Sequence, residues 1–145
     1  MANNLLKDLK LSNRSFNRQV SDRTFVDLQA LGGRDLQTTE GRANLAQAIV
    51  NRLLTGKGEL ARLGHPGYGS RLYQIIGEPD NNRIRGRAEI YIRECLAQES
   101  RIEEVTQVKF SKPSRGFDRG SLEATISVKP RGNEQEFTVI IPINL

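Results

Sequence analysis

A chain of 145 residues is the size of one domain around one core, and 37% hydrophobic against 27% charged residues places it among folded rather than disordered sequences. Its formal charge of +5 and pI near 9.7 favour acidic partners, protein or nucleic acid, without choosing between them. The single cysteine, Cys95, excludes an intrachain disulfide, and no stretch nears the roughly 18 apolar residues of a membrane span, so the chain reads as cytoplasmic when synthesised.

Residues 1 to about 35 scatter Leu5, Leu6, Leu9, Phe16, Val20, Phe25 and Leu28 among polar residues with no dominant period. They read as an N-terminal extended arm ahead of a domain over residues 36–145. From Thr38 to Thr55, one row of Leu45, Ile49 and Leu53 beside another of Ala46, Val50 and Leu54 predicts an amphipathic helix. Thr38 or Thr39 is its expected N-cap and Gly56 its expected terminator. The run LGHPGYGSRLYQIIGEP, residues 63–79, follows; it carries Gly64, Gly67, Gly69, Gly77 and the chain's only histidine. Beyond it, Ile84, Ala88, Ile92, Cys95 and Leu96 repeat at helical spacing over about 80–98. Asp80 or Asn81 can cap this second helix, and Glu89 with Arg93 forms an i, i+4 pair on it.

After Arg101 the period changes to 2. In SLEATISVK, Leu122, Ala124, Ile126 and Val128 share one face, and in EFTVIIPINL, Phe137, Val139, Ile141, Ile143 and Leu145 do. These are half-buried strands joined through the turn residues 130–134 into an antiparallel hairpin. IEEVTQVKF predicts a third, less regular strand bent near Val105, and Pro142 marks a sheet edge or end because it cannot donate to a ladder. Between the third strand and the hairpin lies a basic loop, residues 112–120. The expected fold is α+β: two main helices packed on an antiparallel sheet of at least three strands, with the extended arm in front.

Several chemistries are excluded. LTGKGE mimics a phosphate loop, yet position 51 is Asn, position 58 is Gly and a helix precedes it where a strand is required. Gly64, Gly67 and Gly69 lack the dinucleotide spacing. With one His and one Cys no metal cluster forms; His65 reads as a turn residue and Cys95 as a core residue, so no catalytic, metal or cofactor residue is assigned. Glu78 and Glu99 are candidates for a hydrolytic carboxylate pair, but a helix separates them by on the order of 30 Å. Nucleic-acid binding has the charge but only 6% aromatic residues, which are not interleaved with the basic ones.

The order LLTGKGE, GHPGYGSRL, IIGEP and RAEIYIRECLAQESRI, followed by a three-stranded half, resembles the baseplate wedge and sheath-initiator family of contractile phage tails, over roughly Leu36 to Leu145. The family extends to type VI secretion systems and extracellular contractile injection particles, and carries a Glu-Pro-Arg signature that reads Glu99-Ser100-Arg101 here. The resemblance implies a non-enzymatic subunit without cofactor that joins the baseplate wedge to the first sheath ring and initiates sheath polymerisation by strand addition. Implied partners are the sheath protein of the first ring, wedge subunits and the central spike or tube hub, in a ring-shaped assembly of several copies, with no nucleic acid and no membrane. A peptidoglycan-cleaving, lysozyme-like hydrolase and a basic nucleic-acid-binding module are the alternatives.

The residues expected to meet partners are Glu99 and Arg101, as an ion pair within the fold or at an interface; Lys112, Arg115 and Arg119 of the basic loop; and Val139, Ile141 and Ile143 of the last strand. Gly67, Tyr68, Gly69, Glu78 and Pro79 are expected to shape the connector between the helices, anchored by Leu72, Ile75 and Ile76.

Overall fold

The computed structural model describes residues 41–113, 121–132 and 135–145 in full and, ahead of them, the backbone of 8–9, 11–15, 24–28, 30–31, 35–36 and 38–39. Most of the expected arm, Arg115 and Arg119 of the basic loop, and the tip of the 130–134 turn lie outside the described residues. The chain divides into two compact units, residues 1–48 and 49–145.

In the first unit the described backbone forms short antiparallel pairs. β1 (Asp8–Leu9) pairs with β6 (Thr38–Thr39), β2 (Leu11–Ser15) with β3 (Thr24–Leu28), and β4 (Ala30–Leu31) with β5 (Asp35–Leu36). Helix α1 runs Gly41–Leu54, and its row Leu45, Ile49 and Leu53 is buried as the spacing predicts. Its expected caps are not where the sequence places them. Thr38 and Thr39 belong to β6, and the helix opens at Gly41, whose φ of +64° glycine adopts without steric cost. At the other end Gly56 does not take the left-handed conformation. Hydroxyls receive the last carbonyls instead: Thr55 Oγ1 donates to Asn51 O at 2.7 Å and Ser70 Oγ to Leu53 O at 2.6 Å.

Helix α2 spans Asn82–Leu96 and is capped by Asn81, whose Oδ1 accepts from the Ile84 N–H at 3.0 Å. It buries Ile84, Ala88, Ile92, Cys95 and Leu96, and Glu89 holds Arg93 at 2.9 Å. Between the helices, a 3-10 turn over Leu72–Ile75 buries Leu72 and Ile75. Ile76, expected to anchor the connector, is instead 62% exposed. Three residues per turn put Leu72 and Ile75 on one face and leave the next residue off it.

The sheet has the order β7 (Ile102–Ser111), β8 (Ser121–Pro130), β9 (Phe137–Asn144), antiparallel throughout. Leu122, Ala124, Ile126 and Val128 of β8 and Val139, Ile141 and Ile143 of β9 bury one face. Strand β7 shifts register between Ile102 and Glu104 and again between Val105 and Gln107, which is the bend expected near Val105. Two helices with a three-stranded antiparallel sheet make the α+β fold that the hydrophobic periods predict. Among the described residues no helix is long and apolar enough to cross a membrane.

Candidate functional site

Three places in the second unit carry the residues singled out above. The first is the corner between α2 and β7. The chain turns there through Glu99 N–H to Leu96 O and Ile102 N–H to Glu99 O, both at 3.1 Å, and this turn buries the Glu99 side chain. Its carboxylate accepts a forked pair from Arg101, Nε to Oε1 at 2.8 Å and Nη2 to Oε2 at 3.3 Å. Arg52 of α1 adds a second cation 3.7 Å from Oε2, and its guanidinium lies 4.6 Å over the ring of Tyr68. Arg101 O accepts from the Arg131 N–H just beyond β8 at 2.9 Å. One carboxylate thus links the last turn of α1, the helix-sheet corner and, through Arg101, the end of β8. Burial pushes the Glu99 carboxyl up, but the hydrogen bonds and charge of Arg101, with Arg52 behind them, outweigh it and hold the group below the usual glutamate range. Burial raises the Tyr68 phenol, with Arg52 opposing. Ser100, in the place of the family's proline, is exposed, and the turn closes with serine there.

The second place is the glycine-rich connector. Gly69 has φ +105°, and a Cβ there would stand 2.6 Å from Thr55 O and 2.8 Å from Gly56 O. That closeness lets Ser70 N–H reach Thr55 O at 2.8 Å and Lys57 N–H reach Ser70 O at 2.9 Å, a parallel bridge between Gly56 and Ser70. His65 is exposed, and its carbonyl accepts from Tyr68 N–H at 3.3 Å across the turn that contains exposed Gly67. Glu78 and Pro79 are exposed on the link to α2, which Glu78 N–H ties to Ile75 O at 3.1 Å.

These arrangements supply little for bond-breaking chemistry. Glu78 and Glu99 lie beyond opposite ends of α2, a helix of 15 residues. Such a helix rises about 22 Å, and the Glu99 carboxylate is engaged by two arginines, so the pair is not assembled. The Cys95 thiol is pushed up to about 11 by burial, which suppresses the thiolate. Among the described residues no group of three His, Cys, Asp or Glu side chains could hold a metal ion.

The third place is the β9 edge. Val139, Ile141 and Ile143 turn their side chains into the core, at 6%, 0% and 4% exposure. The strand offers solvent its other face, Thr138, Ile140, Pro142 and Asn144, and among the described residues β8 alone pairs with it, on a single side. At the end of β9 opens a pocket of about 200 Å³, lined by Leu54, Tyr73, Ile76, Pro142 and Asn144 among others. Lys112 is exposed just after β7. The sequence-based assignments give Arg52 no role, and they name Leu54, Ile76 and Pro142 without bringing them together at a pocket. The adjacent pair Ile75-Ile76 was the one available signal, because a 3-10 turn cannot bury both.

A family model described as contractile injection system sheath initiator matches residues 19–129. That match begins inside the expected arm, earlier than the resemblance over Leu36 to Leu145, and stops before β9. A solved structure from Geobacter sulfurreducens, provisionally described as a tail lysozyme, is similar with 27% identity and a TM-score of 0.59, over 70% of this chain and 88% of that one. No curated protein matches the chain.

Proposed function

The chain belongs to the contractile injection system sheath initiator family, and from that premise we propose that it is a structural baseplate subunit which joins the wedge to the first sheath ring and starts sheath polymerisation by accepting a strand at the β9 edge. A baseplate role is what the family supports; the joining and the strand addition are the further step. The observation that carries it is the contrast between the two edges of the sheet. β9 pairs with β8 without interruption over eight residues and carries no charged side chain. β7 has two register shifts, and Arg93 Nη1 donates to Val105 O on it at 2.7 Å. Bulges, charges and prolines are how edges are protected from pairing; β9 has only Pro142, near its end, so among the described residues its edge from Phe137 to Ile141 is the more open of the two. An added strand would satisfy its backbone groups, and side chains flanking Ile140 would set the register.

On this reading the partners are the first-ring sheath protein, wedge subunits and the central spike or tube hub, and several copies form a ring. The subunit is not an enzyme. The likeness to a chain described as a tail lysozyme raises hydrolysis, but that would need the carboxylate pair that α2 keeps apart.

The test is sheath assembly on purified baseplates that carry Ile140→Lys or, as the comparison, Gln107→Lys on β7. Ile140 is 59% exposed and Gln107 is exposed, so both variants should fold. Ile140→Lys is expected to stop sheath growth, and Gln107→Lys to leave it intact. Normal growth on Ile140→Lys baseplates would refute the β9 assignment. A zymogram on peptidoglycan that shows clearing by the wild type and none by Glu99→Gln would overturn the non-enzymatic reading.

A further inference from the structure

The outward face of α2 carries three residues, Arg83, Gly86 and Ile90, for which the packing of the fold gives no need. Arg83, Gly86, Arg87 and Ile90 stand at i, i+3, i+4 and i+7 and so share one face, roughly opposite the buried row Ile84, Ala88 and Ile92. Ile90 is 61% exposed. Gly86 is exposed as well, and a Cβ added to it would meet nothing within 4 Å. Its φ is not left-handed, so alanine fits there and the fold gives no reason for the poorest helix former after proline.

The charges on this face are also set against the helix. α2 has no acidic residue in its first turn, while Arg83, Arg85 and Arg87 crowd its N-terminal half, where the helix dipole disfavours cations. Asp80 neutralises Arg85, at 2.7 and 2.9 Å. Among the described residues no carboxylate forms an ion pair with Arg83 or Arg87. Arg87 is nonetheless held in place: its Nη2 donates to the Tyr91 hydroxyl at 3.0 Å, and that hydroxyl donates to Gln74 Oε1 at 3.1 Å.

We propose that this face is a docking surface for an acidic protein partner, whose backbone closes onto Gly86 and Ile90 while its carboxylates pair with Arg83 and Arg87. Three features agree on that occupant. An apolar centre without a Cβ at Gly86 admits close approach, cations flank it on the same face, and the chain's formal charge of +5 steers an acidic surface towards it. The face and the β9 edge share no residue, so a subunit could hold a strand at one and an acidic neighbour at the other.

The test uses the purified full-length chain and the purified baseplate subunits of its own particle, titrated one at a time over a salt series, with thermal melts alongside. Gly86→Ala should raise Tm by about 3 °C through its helix propensity and still weaken binding roughly tenfold, because its methyl group blocks the approach. Arg83→Glu with Arg87→Glu should weaken binding by at least about tenfold and flatten its salt dependence. Arg62→Glu, an exposed arginine in the connector, should change neither, and Ile140→Lys should leave this affinity intact, so the two sites fail separately. The proposal is overturned if Gly86→Ala melts higher yet binds as the wild type does, if the double reversal costs no affinity, or if no baseplate subunit binds while duplex DNA does.

Discussion

Arg101→Ala removes the fork that holds a buried carboxylate. Breaking a fully buried pair from one side costs about 3–5 kcal/mol because the remaining charge is left without compensation. Here the Glu99 and Arg101 side chains are 9% and 18% exposed, Arg52 remains 3.7 Å away, and the Arg101 backbone N–H still donates to Oε1 at 3.3 Å. The expected loss is therefore below that range, about 2–3 kcal/mol, or a fall in Tm of about 6–10 °C. Urea unfolding at neutral pH measures it. Lys129→Ala is the control; its bridge to Glu103 spans 3.5 Å between side chains 46% and 49% exposed. That change should stay within about 0.5 kcal/mol of the wild type. In the double variant Glu99→Gln/Arg101→Ala the costs should not add, since both act on one contact.

The pH dependence has a definite sign. Glu99 is held below its ordinary value of 4.5, so the unfolded chain takes up the proton first. The contribution is complete above that ordinary value and fades as pH falls through the folded one, so the gap between wild type and Arg101→Ala should narrow progressively in melts as pH drops below 4.5. An Arg101→Ala protein as stable as Lys129→Ala at neutral pH would refute the reasoning.

Gly69→Ala, at φ +105° with the new methyl 2.6 Å from a carbonyl oxygen, should cost at least about 2 kcal/mol and be visible as a lower urea midpoint. Ile141→Ala should cost about 2–5 kcal/mol and Ile140→Ala under about 1, because the first side chain is wholly buried and its neighbour is 59% exposed. Equal costs would mean that the face assignment of β9 is wrong. Asn81→Ala should remove about 1 kcal/mol through loss of the cap bond to Ile84 N–H, again by urea unfolding. With its thiol raised to about 11, Cys95 should resist alkylation in the native chain at pH 8 and react at once in denaturant. Rapid native labelling would show that its corner opens.

The sheet is legible in the sequence because β8 and β9 are each buried on one face, which writes a period of 2 into them, and α2 is legible because its cap and its buried row are local. What escaped depends on residues distant in sequence. Arg101 lies two positions from Glu99 and could be named, but Arg52, 47 positions away, shows no pattern that points to it. The start of α1 was misplaced because Thr38 and Thr39 look like caps, and nothing local reveals that β1 pairs with them. The inward turn of Val139, Ile141 and Ile143 was plain from alternation, yet the same alternation assigns the outward surface to Thr138, Ile140 and Pro142. A strand that meets a partner through its backbone edge leaves no side-chain signature of that contact.

The bridge between Gly56 and Ser70 works as a clasp at the base of a loop whose tip, from Ala61 to Gly67, is exposed throughout. Strain at the tip stops at the clasp, and lengthening a loop of that size costs only about 0.6 kcal/mol for each doubling. A short epitope or fluorophore-binding sequence inserted after Gly64 should therefore leave the fold intact, which makes this loop a place from which single subunits could be followed as particles assemble and fire.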